Sequence, residues 1–133
     1  MAVAVRRQKS LVLILAREFA SQLSMPMFVA DAEGNLVFFN EAAERVLGRT
    51  FSEAGELPAQ EWAEAFEPST LDGEPMALND MPAGAAFLER RPVHGTHRIV
   101  GLDGVPRTVA VTAFPLLTQR DQPSGLVCIF WEE

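Results

Sequence analysis

Two kinds of hydrophobic pattern alternate along the chain, and the change from one to the other marks out its elements. From residue 6 to residue 23 the period is helical: Leu11, Leu15, Phe19 and Leu23 recur at every fourth position, with neither Gly nor Pro before Pro26. Val12, Leu13 and Ile14 fill much of the remaining circumference. An apolar arc this wide exceeds what one contact covers, so part of the helix is expected against the domain and part against another chain. Residues 27–31 and 36–40 then read as two short strands rich in Val and Phe, joined by Asp31-Ala32-Glu33-Gly34-Asn35, where Gly34 and Asn35 tolerate the positive φ of a tight hairpin. Asn40 stands at the N-cap position of a short helix over residues 41–47, and Gly48 ends it. Capping alone predicts a cost of about 1 kcal/mol for Asn40→Ala.

The middle of the chain is less regular. Pro58 opens a helix of one or two turns over residues 59–66 that presents Trp62 and Phe66 on one face, and Leu71-Asp72-Gly73-Glu74-Pro75 is turn chemistry. Asn79 or Asp80 is placed to cap a helix with Pro82 in its first turn, running through Ala86, Phe87 and Leu88 to Arg91, where Pro92 stops it. A period of two then takes over. Strands are expected over residues 94–101, 105–117 and 125–132, with Asp103-Gly104 and Ser124-Gly125 at the hairpin turns. Val109, Val111 and Ala113 share one face, while Thr108, Ala110, Thr112 and Phe114 share the other; Cys128 and Phe130 oppose Ile129 and Trp131. Neither face is polar, so the sheet should be covered on both sides, by helices and a cavity on one and by the N-terminal helix on the other.

Composition narrows the function classes. With 133 residues, 48% of them hydrophobic and 22% charged, the chain supports one core. A net charge of -7 argues against sequence-independent nucleic-acid binding, which needs Lys and Arg to neutralise phosphates. Cys128 is the sole cysteine, which excludes an intramolecular disulfide and any zinc site built from several cysteines. Arg6, Arg7 and Lys9 precede the apolar run 11–16, but that run is too short for a secretion signal or a membrane span, so a cytoplasmic protein without membrane association is expected.

The order of elements and their residues resemble the PAS family. Asp31 to Asn40 followed by Glu41 to Gly48 is similar to that family's opening: an Asp-x-x-Gly turn, a strand, a helix started by Asn and a closing Gly. Asp72-Gly73-Glu74-Pro75 with Met81-Pro82 resembles the segment leading into the family's long helix, and Leu102-Asp103-Gly104 to Phe114-Pro115-Leu116, then 125–132, its last strands. The resemblance implies an α+β fold over residues 25–133: a five-stranded antiparallel sheet in the order 2-1-5-4-3, curved around short helices that enclose a pocket. Residues 1–24 would be an N-terminal helical extension. It also implies a sensor or interaction module, usually dimeric; with no catalytic set and no kinase, cyclase or DNA-binding segment recognisable in the 133 residues, output is expected to pass to a separate signalling partner protein or through the dimer.

Parity and the resemblance together place His97, Ile99, Val109, Val111, Ala113, Cys128 and Phe130 facing the pocket, opposite Trp62, Phe66, Phe87 and Leu88. Nearly all are apolar, which suits a small apolar ligand. Flavin is not expected: the light-sensing branch of the family needs a reactive Cys in an Asn-Cys-Arg segment on a helix, and Cys128 lies on a strand. Haem is not expected either, because related haem domains carry the axial His on the long helix, where residues 81–91 have none; a haem sensor through His97 is the alternative. His94 and His97 fall on opposite strand faces and cannot share a metal. A second alternative, a small isomerase-like enzyme of a cone-shaped α+β fold, needs a general base in the pocket, and no candidate is evident. Leu11, Val12, Leu15 and Phe19 are the expected homodimer contacts.

Overall fold

In the computed structural model, which describes residues 11–117 and 122–133, eleven elements follow one another. Helix α1 (Leu11–Gln22) leads into the hairpin β1 (Met27–Asp31) and β2 (Leu36–Phe39). Three short helices follow: α2 (Glu41–Leu47), α3 (Phe51–Ala54) and α4 (Ala59–Ala65). A 3₁₀ turn (Leu78–Asp80) and α5 (Pro82–Glu89) precede the long strands β3 (Val93–Val100), β4 (Pro106–Leu117) and β5 (Pro123–Glu132). The sheet is antiparallel throughout, in the order β2-β1-β5-β4-β3. This is the order the resemblance implies. Of the helix expected over 6–23, residues 6–10 lie outside the described residues.

Each face of the sheet has its own core, as the alternation requires. Ala30, Val109, Val111, Ala113, Cys128 and Phe130 point to the side of α2, α4 and α5. Met27, Val29, Val37 and Val127 point to the other side, against Leu13 and Ala20 of α1. Burying Leu13 alone is worth roughly 2 kcal/mol. Gly125 lets α1 come this close. A Cβ there would lie 2.7 Å from Leu13 Cδ2 and 2.8 Å from the Ala30 carbonyl oxygen. Gly125 is therefore a mid-strand residue paired with Leu116 and Asp31, not part of a hairpin turn. The turn expected at Ser124-Gly125 is not found there, because both residues lie within β5.

The hairpin and α2 form as their sequences direct. Asp31 Oδ1 accepts from the N–H groups of Glu33 and Asn35. Asn40 Oδ1 caps α2 by accepting from Ala43 N (3.0 Å), and it also accepts from Met27 N (3.1 Å). Its Nδ2 donates to the carbonyls of Ala20 (3.0 Å) and Met25 (2.9 Å), so one buried amide joins α1, β1 and α2. At the far end of α2, Gly48 takes φ 84°, and a Cβ there would meet Asp103 Cγ at 2.5 Å. The β3–β4 turn packs against this glycine, with Leu102 N donating to Leu47 O.

One local expectation is corrected, and one helix is added. Neither Asn79 nor Asp80 caps α5: Met81 occupies the cap position without a side-chain bond, and Asp80 accepts from Ala77 N to close the preceding 3₁₀ turn. Helix α3 is the addition, and Thr50 and Glu53 form a complete capping box at its start.

Candidate functional site

The inner core does not fill completely. A cavity of about 60 Å³ lies between the inner sheet face and the helices. Strands contribute Phe28, His97, Ile99, Val109, Val111, Cys128 and Phe130; Trp62 of α4 and the following Phe66 and Pro68 form one wall, and Met81, Pro82 and Ala83 another. Leu36 and Leu47 close it. Trp62 is fixed by its indole N–H, which donates to Gly34 O at 2.9 Å, and its ring meets Phe28 edge-on at 5.5 Å. The chain after α4 runs along β3: Ser69 and Arg98 exchange backbone bonds of 3.0 and 2.8 Å, and Val100 N donates to Phe66 O. That pairing covers the exposed edge of β3 and holds Phe66 and Pro68 at the cavity.

Eight of the eleven expected pocket residues line this cavity: Trp62, Phe66, His97, Ile99, Val109, Val111, Cys128 and Phe130. Three do not. Leu88 is 62% exposed, because α5 buries Pro82, Ala83, Gly84 and Ala86, and Leu88 lies about 200° around the axis from Ala86. Phe87 is half-buried beside the core without reaching the cavity, and Ala113 is fully buried outside the lining. Phe28 was missed; its register partner Cys128 gives it away once β1 is known to pair with β5. Met81 and Pro82, which carry the resemblance at the start of the long helix, also line the cavity.

Among the described residues that line it, only two are ionisable. Burial lowers the pKa of His97, against the opposing effect of its bond to the Arg98 carbonyl, so the ring is neutral at pH 7. Burial pushes the Cys128 thiol well above its ordinary value, which makes it an inert core group. His94 faces the other side of β3, bonded to Thr112 Oγ1 at 2.8 Å. Among the described residues no cluster of three or more His, Cys, Asp or Glu is placed to hold a metal, and no helix is long and apolar enough to cross a membrane.

On the outer surface, α1 turns Leu11, Leu15 and Phe19 to solvent at 68%, 58% and 59% exposure, with Val12 and Ile14 beside them. Its contact with the sheet runs through Leu13 and Ala20 instead.

A family model described as the PAS fold matches residues 20–132. The chain belongs to the PAS family. PAS domains are in general sensory or interaction modules. The PAS domain of a protein from Colwellia psychrerythraea superimposes with a TM-score of 0.64 at 14% identity, covering 92% of this chain and 97% of that one. The PAS domain of nitrogen regulation protein NR(II) from Vibrio parahaemolyticus gives 0.61 at 16% identity, covering 90% and 98%. A LOV protein from Rhodobacter sphaeroides gives 0.69 at 18% identity, covering 91% of this chain and 66% of that one. At these identities the likeness is one of fold. No curated protein matches the sequence.

Proposed function

We propose that this PAS domain is a non-catalytic sensor that takes a small, largely apolar molecule in its cavity, pairs with a second copy through α1, and regulates a separate partner protein. The observation that carries this reading is the position of β5. Its Cys128 and Phe130 line the cavity, while Val127 and Ile129 of the same strand pack in the cluster that includes α1. A molecule that shifts β5 therefore acts on both faces at once.

The lining supports the apolar class of ligand and the absence of an enzyme. Among the described residues it contains no carboxylate to act as a base, and no amide or hydroxyl side chain to bond the edges of a flavin. A flavin or a haem also needs several hundred Å³, far beyond this cavity. The stripe on α1 supports self-association: five large apolar side chains exposed on twelve residues of helix make a patch that a symmetric second copy would bury.

Light scattering of the full chain at micromolar concentration is expected to give a dimer, and the double variant Leu15→Glu/Phe19→Glu a folded monomer. A monomeric parent protein ends the pairing reading. Native mass spectrometry of freshly purified protein tests the cavity, where a retained molecule of a few heavy atoms is expected and a bound flavin or haem would overturn the reading.

A further inference from the structure

His97 is 5% exposed, on β3 opposite Val109, and its ring lines the cavity. Its Nδ1 lies 3.2 Å from the carbonyl oxygen of Arg98. A carbonyl only accepts, so Nδ1 carries the hydrogen, and in a neutral imidazole Nε2 is then a bare lone pair. Burial keeps the ring neutral. Nε2 has no partner among the described residues, yet no buried side-chain nitrogen or oxygen there lacks one. The nitrogen therefore keeps accessible surface, on a residue that lines the cavity. The indole N–H of Trp62, the other nitrogen of the lining, is already spent on Gly34. What remains is one acceptor in an apolar enclosure.

We propose that the cavity selects small neutral molecules carrying one hydrogen-bond donor on an otherwise apolar body, with the donor seated on Nε2 of His97. This deepens the small-ligand reading above and rests on it. Charge is disfavoured on either side: among the described residues no Arg or Lys lines the cavity to receive an anion, and no carboxylate to receive a cation, so either would be desolvated without compensation. A molecule with acceptors alone would set lone pair against lone pair. A cavity of about 60 Å³ holds a few heavy atoms, the size of a five-membered ring.

Pyrrole and furan make the test, because they match in size and differ in presenting an N–H donor or a ring oxygen. Each is titrated into the full chain while NMR follows the methyl groups of Ile99, Val109 and Val111 and the imidazole nitrogens of His97. Pyrrole is expected to bind about fivefold more tightly than furan, the effect of one net hydrogen bond, and to shift the Nε2 resonance. His97→Phe should abolish the difference while both rings still bind. Equal affinities in the parent protein, or an Nε2 resonance that pyrrole leaves in place, overturn the role of His97 and leave the cavity reading standing. No methyl shift with either ring overturns both. Should His97→Phe not fold, the Nε2 shift and the affinity ratio in the parent decide alone.

Discussion

The side-chain amide of Asn40 donates to the backbone carbonyl of Ala20 across 3.0 Å, joining the first helix to the start of α2. The same group caps α2 and accepts from Met27 N, so it stabilises three elements where the sequence suggested one. Asn40→Ala leaves buried donors and acceptors unpaired and is expected to cost about 3 kcal/mol rather than the 1 kcal/mol of a lost cap. Urea denaturation measures it. A loss no larger than capping alone would mean that the bonds to Ala20 and Met25 contribute nothing.

Gly125→Ala should destabilise by about 2 kcal/mol, because the new Cβ meets both Leu13 and the Ala30 carbonyl. Adding Leu13→Ala relieves one clash and leaves the backbone one. The double variant should therefore recover less than an additive sum allows for full relief, and complete recovery would show that the sheet itself accommodates a side chain at 125.

Stability should fall as the solution is acidified through the histidine range. The folded-state pKa of His97 lies below the ordinary value of 6.5, so the unfolded chain takes up a proton that the folded chain refuses. The contribution is complete above 6.5 and declines as pH drops below it. Asp103, held low by hydrogen bonds from Arg107, and Glu53, held low by the Thr50 hydroxyl, lose their contributions only further down, near the carboxylate range. Between pH 7.5 and 5 the melting midpoint of the parent should drop, and that of His97→Phe should drop less. Identical slopes would discount the buried ring.

Cys128 should resist thiol reagents in the folded protein, since burial both blocks access and raises its pKa. Labelling by a disulfide reagent at pH 8 is expected to be orders of magnitude slower than in denaturant. Comparable rates would mean that β5 opens readily.

The first half of the fold was legible because its signals are local. Asn40, Gly48 and the Asp31 turn each act within a few residues, and strict alternation phased β4 and β5 correctly. Errors arose where one residue type serves two ends. Gly125 carries the signature of a turn, but its role is close approach to a helix more than a hundred residues earlier in sequence, which no local pattern encodes. Leu88 looked like core because it is large and apolar; α5 instead sits tightly on the sheet through Pro82, Ala83, Gly84 and Ala86, so small residues mark its buried side. Phe28 needed the strand order before its face was known.

The two tryptophans divide the near-ultraviolet properties of this chain between inside and outside. There is no tyrosine, Trp62 is 5% exposed at the cavity wall, and Trp131 is 42% exposed near the end of β5. Native emission is therefore the sum of a shielded, blue-shifted indole and a solvated, red-shifted one. Acrylamide reaches the second alone. Whatever enters the cavity perturbs the first, so occupancy and surface events can be read separately from unlabelled protein, with Trp131→Phe isolating the buried signal.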